Sequence, residues 1–407
     1  MIAIESKTTK EELAENHWKW LKKLIKYDAV QKLSIDECNA VLQDSEKEDD
    51  EKKECALKVA LGDALYSKLE DIIKGSFAKL KQIKKENPNY FLDNTTIISQ
   101  KARVDEIADS IRFFKKRKLS ADEKKLYKEI QNEYEEEDKK YVELKKELAA
   151  QLKKQTSVKY INKQKKEAFF DLITLLRYNS LHGKNKTWNA HILCNSLGVS
   201  VCPYCNRQYI YVAEKKEGGW VSSAQLDHFF PKDANPLFSC SFFNLIPSCY
   251  SCNHGKSDDI RETIYPYDQE FGENGKFIIK IPDGKLFDDL NLDYDNNHKN
   301  DIEIDIEVKS CDEKNLINSS ISVFHLKEMY NMHQLDLKDF LKRFNCCKEC
   351  RRYDYKNINL KVGRWDNLKK RDLILGFPLD AGDNEYPLKK MKYDILGQLE
   401  EIEGIKL

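Results

Sequence analysis

Up to about residue 190, apolar residues recur at the three- and four-residue steps of amphipathic helices. Thr9-Lys10-Glu11-Glu12, Ser34-Ile35-Asp36-Glu37 and Ser120-Ala121-Asp122-Glu123 each match the capping box. In that motif a hydroxyl and a carboxylate satisfy the unpaired N–H groups at a helix start. After Ser120, the residues Tyr127, Ile130, Tyr134, Tyr141, Leu144 and Leu148 keep the step, with Glu137 in the one intervening slot. The spacing predicts a coiled-coil-like arm of about three heptads, packed on the helix near Leu69–Ile83. Phe169, Phe170, Leu172, Ile173, Leu175 and Leu176 predict a further helix, and residues 187–197 another that stops at Gly198.

From Val199 to about Tyr267 the texture changes to aromatics, cysteines and short strands. Residues 276–308 alternate like strands around an acidic loop, and 313–352 return to helical spacing. The expected class is therefore α+β, predominantly α-helical, in three parts. Residues 1–190 form a helical scaffold or partner-binding region, 191–270 a compact cysteine-rich unit, and 271–407 a mixed α+β region.

Composition narrows the classes. The 407 residues suffice for two or three domains. With 34% charged residues and no apolar run near ~18 residues, a membrane partner is not expected. Glu5 is acidic too early for a signal peptide, so the expected location is cytoplasmic. The formal net charge is zero, yet the charges are segregated. Lys153, Lys154, Lys159, Lys163, Lys165 and Lys166 form a run without an acid between Gln151 and Lys166. Lys338–Arg371 holds twelve Lys/Arg against four acids, interleaved with Tyr353, Tyr355 and Trp365. Basic groups neutralise phosphates and aromatics stack on bases, so this stretch is a candidate nucleic-acid surface, with Arg351, Arg352, Lys369, Lys370 and Arg371 as its contacts. The acids collect in Asp44–Glu54 and Asp283–Glu307.

Twelve cysteines in a chain without a signal peptide favour metal binding over disulfides. Cys202/Cys205 and Cys249/Cys252 form two C-x-x-C pairs separated by 43 residues, the closed thiolate set that structural zinc prefers. Cys346, Cys347 and Cys350 lack a second knuckle, even with His325 and His333 nearby. A buried helix face is expected for them, and a core position for Cys240. His254, beside Cys252, is expected on another helix face.

Between the knuckles stand Asp227-His228 and Asn244-Leu245, and Asn253 and Lys256 follow Cys252. This order and spacing resemble the HNH nucleases, the ββα-metal fingers, in their zinc-stapled form. The resemblance covers about 60 residues and departs where Asp233-Ala-Asn-Pro-Leu replaces a common Gly pair. It implies a zinc-stapled ββα finger within 191–270 that hydrolyses phosphodiesters by a one-metal mechanism. His228 would be the general base, suited to the task by an ordinary pKa of about 6.5. Asp227 and Asn253 would hold a hard cation, Mg²⁺ or Mn²⁺. Asn244 would tie the loop and orient His228, and Lys256 would contact a phosphate. The segments Asp227–Lys232, Phe242–Cys249 and Ile264–Tyr267 further resemble bacterial anti-phage HNH proteins, including nuclease subunits of Septu-type systems that work with an ATPase. That likeness implies DNA before RNA as substrate, and an ATPase or a second copy docked on the N-terminal helices. Two other readings are a non-catalytic zinc module binding nucleic acid or protein, and a modification-dependent restriction enzyme.

Overall fold

The structure is a computed structural model describing residues 1–4, 6, 8–115, 119–183, 187–281, 290, 292, 302–352, 367–378, 380–382 and 385–404. It is 57% helical, with small two-stranded sheets, and the class is α+β and predominantly α-helical. Among the described residues no helix is long and apolar enough to cross a membrane.

The N-terminal half begins with the helices Lys10–Leu24, Ile35–Gln43 and Asp49–Tyr66. Ser34 and Ser120 close complete capping boxes with Glu37 and Glu123. Thr9 accepts from the Glu12 N–H. The arm is a single helix, Ala121–Gln155. It packs on Asn94–Lys115 and not on the residues near 69–83 as expected. The two arm helices build a thin separate core from Ile97, Val104, Tyr141 and Leu152, together with Leu92 just before them and Ala234 of the cysteine-rich unit. Glu137, the apparent break in the heptad pattern, is buried in this seam and accepts from Gln100 Nε2 at 2.7 Å.

The helix expected from Phe169 to Leu176 is a β-hairpin followed by one helical turn. Ser157–Ile161 pairs antiparallel with Glu167–Asp171, and the turn of helix covers Leu172–Leu175. Asn162 Oδ1 accepts from the N–H groups of Gln164 and Lys166, and Lys165 adopts a left-handed φ of 56°. These bonds close a turn that lacks glycine. Alternation then buries Phe170 against Tyr160 and leaves Phe169 64% exposed. Two lysines of the basic run are already ion-paired here, Lys159 to Glu167 and Lys163 to Glu48.

Beyond the helix Ala190–Leu197, ended by Gly198 at φ 66°, comes the cysteine-rich unit. Its strand Gln225–His228 pairs with Leu245–Ser248, and the short helix Tyr250–Lys256 follows. The remaining chain supplies a strand pair, Gly275–Lys280 with Glu303–Val308, and the helices Lys314–Val323, Leu326–Tyr330, Gln334–Arg352, Asn367–Leu375 and Lys389–Ile402. One hydrophobic cluster runs through all three stretches of the chain, from Met1 to Leu399.

Candidate functional site

Each knuckle is shaped by local bonds before any ion is considered. In the first, Asn206 N–H donates to the Cys202 carbonyl at 2.7 Å, and Asn206 takes a left-handed φ of 47°. In the second, Cys249 caps the following helix, its Sγ accepting from the Cys252 N–H at 3.5 Å. Cys202, Cys205, Cys249 and Cys252 are all buried, with their sulfurs within 4.8 Å of one another. Cys205 and Cys249 lie 4.0 Å apart. A zinc tetrahedron with Zn–S near 2.3 Å has S–S edges of about 3.8 Å, so the donor set fits structural zinc. Among the described residues no other group of three or more His, Cys, Asp or Glu side chains converges in this way. Cys346 is exposed and not on a buried face as expected, whereas Cys240 lies in the core. The side chain of Cys350 lies outside the described residues.

The strand pair sets the next layer. Successive residues of a strand face opposite ways, so Asp227 and His228 serve different surroundings. His228 is 8% exposed, and its Nε2 lies 2.9 Å from the Ser239 carbonyl. A carbonyl only accepts, so Nε2 carries the proton. Burial, and then the nearby Lys232, Lys256 and His182, lowers the His228 pKa to about 3. The ring is therefore neutral at pH 7, and Nδ1 is its proton acceptor. Asn244, wholly buried, ties both flanks of this arrangement. Its Nδ2 donates to the carbonyls of Phe230 (3.1 Å) and Phe238 (3.0 Å), and its Oδ1 accepts from Phe230 N–H at 2.7 Å.

Asp227 turns the other way. Its carboxylate accepts from the Tyr204 hydroxyl at 2.7 Å and pairs with Lys256 Nζ at 3.0 Å. Lys256 also donates to the His228 carbonyl at 2.6 Å and is 2% exposed. The lysine expected to reach a phosphate is instead inside the finger, neutralising Asp227. Asn253 Nδ2 donates to Gln225 Oε1 at 2.7 Å, which leaves Asn253 Oδ1 as an oxygen donor. A hard divalent cation needs a carboxylate that is not already charge-paired. As arranged, Asp227 and Asn253 do not fit Mg²⁺ or Mn²⁺, because the Lys256 ammonium fills that position beside Asp227.

Part of the chain is similar to a phage protein. Over 98 residues it is 32% identical to protein ea31 of Escherichia phage lambda. The likeness takes in 22% of this chain and 28% of the length of that protein. No family model matches the chain, and no solved structure matches it.

Several residues that position the site have no motif of their own. His17 donates from Nε2 to the Cys240 carbonyl and accepts from Trp188 Nε1 at Nδ1, both at 2.8 Å. It thereby fixes the residue next to Ser239. Tyr265 and Tyr267 donate to the carbonyls of Phe243 and Leu245. Tyr204 was legible in principle, because it lies between two metal-ligand cysteines. His254 stacks on Tyr250 away from the site, as expected.

Of the basic patch, Arg371 binds Glu400 with Nη2 at 2.6 Å and is engaged within the fold. The side chains of Arg351, Arg352, Lys369 and Lys370, and residues 353–366 with Tyr353, Tyr355 and Trp365, lie outside the described residues, as do residues 283–289 and 293–301 of the acidic loop.

Proposed function

We propose that this chain is a phosphodiester hydrolase of the HNH kind, an endonuclease whose general base is His228. The observation that carries the reading is the His228 tautomer, with Nε2–H spent on the Ser239 carbonyl, which leaves Nδ1 as the ring's proton acceptor. General-base attack at neutral pH needs that protonation state. Asn244 supports it by holding the loop that supplies the Ser239 carbonyl. Zinc, held by Cys202, Cys205, Cys249 and Cys252, supplies structure and no chemistry of the reaction. His228→Ala should abolish cleavage of DNA or RNA while zinc content and melting temperature stay near wild type. Cleavage retained in a clean preparation overturns the reading.

The ion pair of Asp227 with Lys256 favours a second reading, a zinc module that binds nucleic acid without cutting it. Assays across Mg²⁺ and Mn²⁺ separate the two, since binding without cleavage under every metal supports the module. As an effector of anti-phage defence, the chain would use its long arm to dock an ATPase or a second copy; co-purification with the arm deleted tests this.

A further inference from the structure

Between Leu226 and Cys249 every residue is buried except Lys232 and Asp233. Lys232 sits in the loop that follows His228, and among the described residues it has no carboxylate partner. Its ammonium lies over the ring of Tyr178, 5.0 Å from the centroid. The other contacts of Tyr178 lead back to the site. Its ring is 4.7 Å from the His228 ring, and its hydroxyl lies 2.9 Å from Nε2 of the exposed His182. One aromatic side chain from the N-terminal half thus joins the candidate base, a lysine and a second histidine.

Of these groups Lys232 carries the charge, because both imidazoles are neutral at pH 7. Desolvation of its partly enclosed ring, then Lys232 and His191, lowers the His182 pKa, and Lys232 acts likewise on His228. An ammonium without a carboxylate partner raises the local concentration of an anion. The contact between Lys232 and Tyr178 also holds the ammonium at the rim, at a smaller entropic cost than a free surface lysine.

We propose that Lys232 and His182, steadied by Tyr178, form a binding subsite for a phosphate of the nucleic-acid backbone next to His228. Lys232 supplies the charge. In the tautomer in which the Tyr178 hydroxyl donates to His182 Nε2, Nδ1 carries the proton and can donate to a phosphate oxygen. Tyr178 is a positioning residue. The inference rests on the reading above in that it takes the same substrate class, and it places part of the substrate grip on the helical half of the chain.

The test uses the full-length, zinc-loaded His228→Ala protein without added divalent cation, with fluorescence anisotropy on labelled 20-nucleotide single-stranded and duplex DNA. Adding Lys232→Gln with His182→Gln should weaken binding about tenfold. It should also reduce the slope of log Kd against log salt by about 1, the loss of roughly one phosphate contact. Lys232→Arg should restore both, a rescue that general misfolding would not permit. Unchanged affinity and slope in the double variant overturn the subsite and leave the hydrolase reading intact. Absence of any binding by the His228→Ala protein also overturns it, while cleavage by the wild type, measured in parallel with and without Mg²⁺ or Mn²⁺, decides the hydrolase reading separately. Conversely, binding lost in the double variant with no cleavage by the wild type keeps the subsite and removes the hydrolase.

Discussion

Of the 35 residues in the arm helix Ala121–Gln155, the buried ones are Glu137, Tyr141 and Leu152. From Leu226 to Cys249, burial is broken at Lys232 and Asp233 alone. The arm is held by local helix signals, a narrow seam and exposed ion pairs. Exposed pairs of that kind contribute roughly 0–1 kcal/mol each. The finger is held by bonds that cross long stretches of sequence, from His17 to Cys240, Tyr204 to Asp227, and Tyr330 to the Cys205 carbonyl. A short segment with little regular structure can therefore be the most constrained part of the chain. An extended helix can be the least.

The sharpest way to break this contrast is to remove zinc. A structural site of four thiolates contributes roughly 10 kcal/mol or more. Cys205→Ser, or chelation, should abolish the near-ultraviolet dichroism of the buried aromatics while much of the far-ultraviolet helical signal survives. A soluble variant with intact near-ultraviolet signal would show that the finger does not depend on the metal.

Next in size is Lys256→Met. It leaves the Asp227 carboxylate buried without its cation, a loss of about 3–5 kcal/mol. Melting temperature should fall sharply. Millimolar Mg²⁺ should restore part of it if a divalent ion can take the vacated position, because ligand binding to the native state alone is stabilising. The absence of such a rescue would exclude Asp227 as a cation ligand even with the lysine gone.

Acid offers a subtler probe. Burial lowers the His17 pKa to about 4, against roughly 6.5 in an unfolded chain. Below pH 6.5 the unfolded chain takes up a proton that the fold refuses. The stabilisation is therefore complete above pH 6.5 and is lost as pH falls towards 4, by up to about 3 kcal/mol. Melting followed from pH 7 to 4.5 should show this decline, and His17→Gln should make it shallower while the share of His228 remains. An equal slope in the variant would assign the acid sensitivity elsewhere.

The smallest effect belongs to the arm. Ser120→Ala removes a capping hydroxyl, a loss of about 1 kcal/mol. Amide exchange should quicken in the first turns of Ala121–Gln155 without altering zinc content or melting of the finger. Coupled changes in both would mean that the two regions fold as one unit.

What could be read from the sequence follows the same division. Ser34 and Ser120 announce their helices, because the cap lies within four residues of its target. The cysteine quartet was visible because a closed thiolate site demands one residue type at a fixed short spacing. The hairpin Ser157–Asp171 was not visible. Its turn is closed by Asn162 and by Lys165 in a left-handed conformation, with no glycine to mark it, and Phe169 next to Phe170 imitates a helical face. The Lys256–Asp227 pair and the Tyr178 ring against His228 were also hidden. They depend on which way strands and helices present their side chains once packed, and spacing along the chain does not encode that.

Asn206 sets a limit on what can be done with the finger outside its present surroundings. Its carbonyl accepts from Leu388 N–H at 2.6 Å, and its Oδ1 accepts from Lys390 N–H at 3.0 Å. Thus the first knuckle is completed by backbone more than 180 residues downstream. Grafted alone into another protein, residues 202–256 would leave those two acceptors and the Cys205 carbonyl in need of replacement donors. The finger is no portable cassette, and a successful transplant would have to carry a surrogate for the start of the helix Lys389–Ile402 with it.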